Sequence, residues 1–249
     1  MVDPLHFDGM ADRYATARPP YPQELWRDVR STGLLGPGRR ALDLGAGSGE
    51  ATRELVAAGM DVVAVEPGPN LAAILQRRLP SVTVVRSRAE DLRVDDGAFD
   101  LAVAATSIHW MDLDIVLPLL HRALKPTGRF LVWRNVFGDA AADITPFRRA
   151  VHRIVERRGT TRPGNTEDAD ATAARLGGTG LFAVDGIHHY RWSVTLTTAQ
   201  VRALFATFSD WTPAEVEEAA SAAAELGGAV TEHYTSWLIS ALPVDIPSA

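Results

Sequence analysis

Three glycines at alternate positions follow a short, mostly apolar segment near residue 40. Residues 41–44 read Ala-Leu-Asp-Leu, and Gly45, Gly47 and Gly49 come directly after them. Glycine lets a backbone turn sharply and approach a ligand closely, so this pattern predicts a buried strand, a ligand-binding loop and then a helix. A dinucleotide-binding loop would have its third glycine at position 50, where this chain has Glu50. Because a pyrophosphate would meet that carboxylate, the loop favours a nucleoside cofactor without phosphates.

Two carboxylates beside this loop suit different parts of a nucleoside ligand. Asp43 would be buried just before the turn and must be hydrogen-bonded, either to loop N–H groups or indirectly to an ammonium of the ligand. Glu66 ends a second apolar run, 21 residues after Gly45, where an acid can accept both hydroxyls of a ribose. The alternative is a glycine turn and a solvated acid with no ligand. The succession of strand, turn, helix, strand and acid favours the nucleoside site.

Length and composition limit the classes of protein to consider. At 249 residues, one domain with inserted elements is favoured over two domains. The net charge of −6 differs from the basic faces of nucleic-acid-binding proteins, so we expect no nucleic-acid partner. Cysteine is absent and the Asp and His residues lack metal-ligand spacing, so we expect no disulfide and no metal. Without a signal-like start or a long apolar run, we expect a cytoplasmic protein with no membrane partner.

The apolar segments predict an α/β fold. Beyond the first two strands, further strands are expected at 82–85, 99–105 and 129–133, and helices begin at Pro22 and Pro69 and cover 115–124. This alternation predicts a doubly wound, Rossmann-like, mostly parallel sheet with helices on both faces.

The second half of the chain has a different pattern. Helices are predicted to begin at Thr145, Thr197 and Thr212, the last two with capping boxes, while 186–196 and 234–242 are predicted strands and 158–170 an exposed loop. We therefore expect a single domain with a helical cap inserted after the fifth strand. Its parts are an N-terminal arm and helix at 1–35 that forms a cofactor lid, a core at 36–137 and 181–249, and a variable substrate cap at 138–180 and 197–228.

Five segments together resemble the motifs of class I S-adenosylmethionine-dependent methyltransferases. They are residues 41–49, 63–67, 89–92, 99–101 leading to His109-Trp110, and 124–130. Within that family the chain is similar to a small-molecule branch that includes trans-aconitate methyltransferase-like proteins. The resemblance covers residues 41–133, is extended by an N-terminal pattern, and is vague beyond residue 138.

The resemblance implies S-adenosylmethionine as the cofactor and S-adenosylhomocysteine as its product. The glycine loop would pack against the methionine part, Glu66 would bind the ribose hydroxyls, and the Ala89 N–H would face the adenine ring. Relatives often place a carboxylate just before that alanine; here Arg88 stands there, so its role passes to Glu90 or is lost. The cofactor-binding residues implied in this way are Tyr14, Arg18, Asp43, Gly45, Ala46, Gly47, Gly49, Glu66, Pro67, Ala89, Glu90, Ala105 and Thr106.

The resemblance also implies how the methionine end is held. Ala105 and Thr106, at the end of the fourth strand, would line the sulfonium. Tyr14 and Arg18 would close over the methionine carboxylate, which an arginine fork fits well. The alternative for Arg18 is a solvated side chain in an N-terminal arm.

Candidate residues on the acceptor side follow from the chemistry. Methyl transfer from a sulfonium is an in-line displacement that needs a base only when the acceptor is a hydroxyl or a protonated amine. His109 follows the fourth strand on the side where ligands bind, so it is a candidate general base; the alternative is a hydrogen-bonded structural histidine beside Trp110. Candidate residues of the substrate pocket are Trp110, Trp133, Phe137 and Tyr190.

Residues 104–107 read Ala-Ala-Thr-Ser, where nucleobase-methylating relatives carry an Asn/Asp-Pro-Pro-aromatic motif. With the acidic charge, this difference favours a small-molecule acceptor over DNA or RNA. We expect methylation of an oxygen or nitrogen atom and a monomer or homodimer. One alternative is another sulfonium reaction such as a cyclisation. Another is a regulatory protein that binds the cofactor without turnover, and an NAD-dependent oxidoreductase is the last alternative because of Glu50.

Overall fold

The computed structural model describes residues 8–11, 17–159, 168–208 and 210–245. The strands are β1 (Arg40–Leu44), β2 (Asp61–Val65), β3 (Thr83–Val85), β4 (Phe99–Ala105), β5 (Leu124–Phe137), β6 (Phe182–Thr197) and β7 (Ala229–Pro243). The α-helices are α1 (Gln23–Ser31), α2 (Glu50–Ala57), α3 (Pro69–Arg78), α4 (Leu113–Ala123), α5 (Pro146–Glu156), α6 (Ala169–Gly178), α7 (Thr198–Phe205) and α8 (Pro213–Glu225). Short 3-10 helices cover Asp8–Met10, Ala89–Asp91 and Ile108–Trp110.

The seven strands form one sheet in the order β3-β2-β1-β4-β5-β7-β6. The pairs β1 with β2, β1 with β4, β2 with β3, and β4 with β5 are all parallel. The predicted Rossmann-like fold is therefore confirmed. The strand order reverses between β1 and β4, and in such sheets ligands bind outside the carboxyl ends of the strands at that reversal.

The central strands are covered on both faces. Residues Ala41 to Leu44 of β1 and Phe99 to Ala104 of β4 are all buried. Because successive residues of a strand point to opposite faces, continuous burial requires a layer on each side. This packing fixes the carboxyl ends of β1 and β4 relative to each other.

Most predicted elements are present, and their differences have local causes. Thr145, Thr197 and Thr212 cap α5, α7 and α8 through their side chains, as predicted. Helix α6 was not predicted, since its sequence ADATAARLGG has few apolar markers, although Asp168 caps it by accepting from Asp170 N and Ala171 N. The predicted 158–170 loop lies partly outside the described residues. Strands β5 and β7 are longer than the predicted 129–133 and 234–242.

The chain divides into two compact units. The core unit comprises 21–135, 167–190 and 236–249, and the second unit comprises 1–20, 136–166 and 191–235. The predicted lid segment 1–35 is therefore divided, because Leu25, Trp26 and Val29 of α1 are buried in the main cluster of the core unit. Similarly, α6 belongs to the core unit rather than to the predicted 138–180 cap segment. The second unit has its own apolar cluster, which includes Phe147, Leu204 and Val216.

Candidate functional site

The three glycines of the loop have positive φ angles but serve different purposes. A Cβ added to Gly45 (φ 64°) would lie 2.6 Å from Ser107 Cβ, so a side chain there would collide with the segment after β4. A Cβ on Gly49 (φ 91°) would lie 3.1 Å from Leu75 Cγ of α3. A Cβ on Gly47 (φ 57°) would have nothing within 4 Å. Gly45 and Gly49 thus permit close packing, and Gly47 has the open face that a ligand can approach.

The Glu66 carboxylate is bound to the same loop. Register pairs Leu44 with Val65, so the residues after β1 and β2 lie side by side. Glu66 is 6% exposed, and its two oxygens accept from Gly47 N and Gly68 N, each at 2.8 Å. Each carboxylate oxygen has two lone pairs, so these bonds leave capacity for further donors. Contact with ribose hydroxyls stays a prediction for Glu66.

Asp43 is fully buried in β1, immediately before the loop. Its Oδ2 accepts from Thr52 Oγ1 at 2.6 Å, whereas Oδ1 has no hydrogen-bond partner among the described residues. Burial raises the pKa of Asp43 to about 7; the Thr52 hydrogen bond opposes the rise, and the charge of Glu66 adds to it. The predicted loop N–H partners are replaced by Thr52. A buried carboxylate oxygen without a partner fits a ligand that brings a donor, such as an ammonium.

Two further residues, Glu50 and Ala46, lie in or beside the glycine loop. Glu50, in the first turn of α2, pairs with Arg78 at 3.1 Å and Arg53 at 3.5 Å. Its carboxylate therefore lies at the helix end that favours anions, which disfavours a pyrophosphate there. Ala46 N donates to Val65 O at 3.0 Å, which fixes the turn after β1.

The segment after β3 contains the predicted adenine-side residues. Ala89 is buried in a 3-10 turn. Glu90 accepts from Arg88 at 3.2 Å and from Asp112 N at 2.9 Å. Burial alone would raise the pKa of Glu90, but these hydrogen bonds outweigh it and lower the pKa. Both alternatives for Glu90, contact with the adenine amino group or loss of that role, remain. Pro67 is half-buried.

Thr106, just after β4, is the only non-glycine residue with a positive φ (61°) in the part of the chain that the structure describes. A β-branched residue in this region is strained, at a cost on the order of 1–3 kcal/mol. Two hydrogen bonds hold it: Thr106 N donates to Trp133 O at 2.8 Å, and Thr106 Oγ1 lies 2.9 Å from Tyr21 Oη. Ala105, its predicted partner, is half-buried. Strained residues held in this way are concentrated at functional sites.

Ser107 joins the ends of β4 and β1. It is buried, and its Oγ donates to Leu44 O at 2.6 Å. Together with its close contact to Gly45, this bond places the turn after β4 directly against the glycine loop. The predicted loop and sulfonium-side residues are therefore brought together at the switch point.

His109 lies in the 3-10 turn that follows. Its Nδ1 is 2.8 Å from Arg134 Nη1, and its ring centroid is 4.6 Å from that of Trp110. Burial, followed by the Arg134 charge, lowers the pKa of His109 to about 3. Because an arginine can only donate, Nδ1 must accept. An imidazole with such a low pKa takes up a proton poorly at neutral pH, which fits the hydrogen-bonded alternative. The general-base role of His109 stays a prediction.

The predicted pocket residues have separate locations. Trp133 is fully buried, with its ring edge-on to Tyr21 and Trp26, and its Nε1 has no hydrogen-bond partner within the described ranges. Tyr190 Oη donates to Asp28 at 2.6 Å. Trp110 is half-buried beside His109. Phe137 belongs to the second unit, where it packs edge-on against Phe205 and Tyr234.

The predicted lid residues are only partly described. Tyr14 lies outside the described residues. Arg18 belongs to the second unit, where its Nη2 donates to Thr207 O at 3.2 Å and its guanidinium lies 5.0 Å from the centroid of Phe208. Closure of these residues over a methionine carboxylate stays a prediction.

Sequence reasoning missed the partners that hold the site together. They are Tyr21, Thr52, Ser107 and Arg134. The sequence signal that could have identified these partners was a hydroxyl group or an arginine inside or beside an apolar segment. Which residue each would meet depends on tertiary register.

Over residues 8–11, 17–159, 168–208 and 210–245, no cluster of acidic and histidine side chains could hold a metal ion. No helix in those ranges has the length and apolar character needed to cross a membrane.

Comparisons with known proteins identify a shared domain and a shared fold. Residues 42–132 match a family model described as a methyltransferase domain. An uncharacterized methyltransferase of Mycobacterium tuberculosis is 39% identical over 134 residues, 53% of this chain and 53% of that protein. The matched region thus spans about half the length of the curated relatives it matches. The narrower likeness to trans-aconitate methyltransferases stays a prediction.

Two solved structures share the fold at low sequence identity. A phosphoethanolamine N-methyltransferase of Haemonchus contortus, solved with phosphomonomethylethanolamine and S-adenosylhomocysteine, has a TM-score of 0.60 at 16% identity and covers 98% of this chain and 61% of that one. Geranyl diphosphate C-methyltransferase of Streptomyces coelicolor has a TM-score of 0.53 at 18% identity and covers 89% and 80%. Residues 42–132 are therefore similar to a methyltransferase domain, and the chain has the fold of these two solved methyltransferases.

Proposed function

We propose that this protein transfers the methyl group of S-adenosylmethionine to an oxygen or nitrogen atom of a small organic molecule. The observation that carries the proposal is the arrangement at the β1–β4 switch point. There the open face of Gly47, the loop-bound Glu66 and the unpartnered Oδ1 of Asp43 lie on one loop and its adjoining strands. Gly47 lets a ligand approach the backbone closely, Glu66 suits a sugar and Asp43 suits an ammonium. The carboxylate of Glu50 opposes a pyrophosphate.

The residues present fit this cofactor part by part. Glu66 would accept from the ribose hydroxyls, Asp43 would face the ammonium, and Ala89 would border the adenine. When bound, the cofactor supplies an electrophilic methyl group on its sulfonium sulfur. The chain's residues then have to orient the acceptor about 3 Å from that carbon and exclude water. Thr106, held rigidly after β4, is placed to fix the geometry at the sulfonium side.

The acceptor class rests on charge and on the missing nucleobase motif. The net charge of −6 opposes a polyanionic partner, which favours a small acceptor over nucleic acid. A monomer or homodimer stays the expected assembly. The two solved neighbours are named as an N- and a C-methyltransferase, so the shared fold serves more than one acceptor atom. The choice of oxygen or nitrogen follows from the sequence interpretation.

Two alternatives use the same cofactor differently. In a cyclisation, an atom of the substrate itself displaces the sulfur, so no methylated acceptor forms. A regulatory protein would bind the cofactor without turnover, and the strained Thr106 fits either case, because such strain occurs at ligand clamps as well as at active sites.

Product analysis tests the proposal. The protein is incubated with S-adenosylmethionine carrying an isotope-labelled methyl group and a panel of small acids, phenols and amines. We expect S-adenosylhomocysteine to form in step with one labelled, methylated product. Cofactor consumption without a labelled acceptor would instead support the cyclisation, and binding without consumption would support the regulatory alternative.

A further inference from the structure

The carboxyl edge of the sheet orders the cofactor and the acceptor along one line. Counting across the sheet, the implied contacts come from Ala89 after β3, Glu66 after β2, the glycine loop after β1 and Thr106 after β4. On the proposed function, these residues would contact the adenine, the ribose, the methionine and the sulfonium, in that order. The next strand is β5, about 4.8 Å farther on. On the proposed function, the acceptor side is therefore expected at the end of β5.

His109 and Arg134 occupy that position. Trp133 pairs with Ala105 in the β4–β5 register, so Arg134 is level with Thr106. Arg134 Nη1 lies 2.8 Å from His109 Nδ1. Both residues belong to the core unit, one on the last part of β5 and one in the turn after β4.

The hydrogen bond between them determines which nitrogen of His109 carries the proton. A guanidinium is always protonated and has only donors, so the Nδ1 lone pair must accept. In a neutral imidazole the proton then resides on Nε2. Within the described residues, the structure shows no partner for Nε2 of His109. The nearby arginine charge polarises the ring and makes the Nε2–H a stronger donor.

We propose that Arg134 holds His109 as the neutral Nε2–H tautomer, so that His109 donates a hydrogen bond to a carbonyl or anionic oxygen of the methyl acceptor. This inference rests on the proposed function for the identity of the ligand. His109 is then an orienting residue, and Arg134 is a positioning residue that acts through it. Because His109 offers no lone pair, it removes no proton. The methylated atom must be nucleophilic before it meets His109.

The tautomer is tested without an acceptor, by nitrogen NMR of the histidine-labelled protein saturated with S-adenosylhomocysteine. We expect His109 to show a protonated Nε2 and an unprotonated Nδ1 that do not change between about pH 5 and 8. In Arg134→Met the fixed tautomer should be lost, and in Arg134→Lys it should be largely kept. A proton on Nδ1, or titration of His109 within this range in the wild type, would overturn the proposal.

The donor role is tested by kinetics with oxygen-bearing acceptors from the panel. His109→Ala should raise the acceptor KM about 10- to 100-fold with a smaller change in kcat, and His109→Gln, which keeps an N–H donor, should restore most of the loss. His152→Ala, an exposed histidine of the second unit, serves as the matched control. Turnover by His109→Ala equal to the wild type would overturn the donor role.

Calorimetry with S-adenosylhomocysteine separates this inference from the proposed function. Wild type, His109→Ala and His109→Gln should bind it with equal affinity, because His109 contacts the acceptor side. Failure of the wild type to bind would refute the proposed function, while the NMR result for the tautomer would still stand. A loss of affinity confined to His109→Ala would overturn the acceptor assignment.

Discussion

The two halves of the carboxyl edge are built by different means. At the ends of β1 and β2, the geometry is set by backbone: glycines with positive φ and a carboxylate that accepts from Gly47 N and Gly68 N. At the ends of β4 and β5, it is set by side-chain pairs, Tyr21 with Thr106 and Arg134 with His109. The first construction suits a cofactor that every catalytic cycle must bind. The second can be altered by single substitutions, which suits an acceptor side that varies among proteins of one fold.

The largest expected effect comes from a substitution in the glycine loop, at the ends of β1 and β2, where the backbone sets the geometry. Gly45→Ala adds a Cβ in a left-handed conformation 2.6 Å from Ser107 Cβ, whereas Gly47→Ala adds one in open space. The left-handed conformation costs about 1–2 kcal/mol in both variants, and overpacking adds about 1–3 kcal/mol in Gly45→Ala alone. Denaturant unfolding should show this difference. Adding Ser107→Gly should recover part of the loss in Gly45→Ala but not in Gly47→Ala; equal losses in the two alanine variants would contradict the packing role of Gly45.

A second variant tests the carboxylate of the same half. Glu66→Gln replaces one accepting oxygen by an NH2 group, which cannot accept, so one of the two bonds from Gly47 N and Gly68 N is lost. We expect affinity for S-adenosylhomocysteine to fall about 10- to 100-fold, the usual cost of losing hydrogen bonds to a charged group. Glu54→Gln, half-buried on α2, is the control and should bind normally. Calorimetry gives both values, and wild-type affinity in Glu66→Gln would exclude its ribose role.

The buried Asp43 predicts a pH dependence of binding. Its pKa of about 7 in the free protein means that it is protonated below that pH, whereas an ammonium ligand needs the carboxylate. Affinity for S-adenosylhomocysteine should therefore fall as the pH drops below about 7, at most about 10-fold per unit. Asp43→Asn should bind weakly at every pH, without this slope. A pH-independent wild-type affinity between pH 5 and 8 would argue against an ammonium partner.

The same pKa has a consequence for folding. The folded pKa is raised above the unfolded value near 3.8, so the folded protein binds the extra proton between about pH 4 and 7. The contribution of Asp43 to stability is thus fully present below that range and is lost as the pH rises through it. Unfolding experiments on wild type and Asp43→Asn at several pH values isolate this slope, which should be absent from the variant.

The smallest expected effect concerns the ends of β4 and β5, where side-chain pairs set the geometry. Tyr21→Phe removes the hydroxyl that lies 2.9 Å from Thr106 Oγ1. We expect a loss of about 1 kcal/mol in unfolding free energy, with turnover reduced and cofactor affinity nearly unchanged. Thr32→Ala, which loses a hydroxyl hydrogen bond to Val29 O in the same unit, is the control and should keep its turnover. Equal turnover in both variants would show that the Tyr21–Thr106 hydrogen bond does not contribute to catalysis.

This comparison explains what could be predicted from sequence. Gly45, Gly47 and Glu66 are recognisable because backbone geometry and a strand end require particular residue types at fixed spacing. The pairing of His109 with Arg134 depends on the β4–β5 register, which no local pattern encodes. The same limit applies to the role of His109, because its residue type is visible in the sequence but its arginine partner is not.

The most direct test of the cofactor site is calorimetric titration of the wild-type protein with S-adenosylhomocysteine and, separately, with NADH. The site built from Gly47, Glu66 and Asp43, with Glu50 at the start of α2, predicts micromolar binding of S-adenosylhomocysteine and no measurable binding of NADH. Binding of NADH, or no binding of S-adenosylhomocysteine, would contradict it.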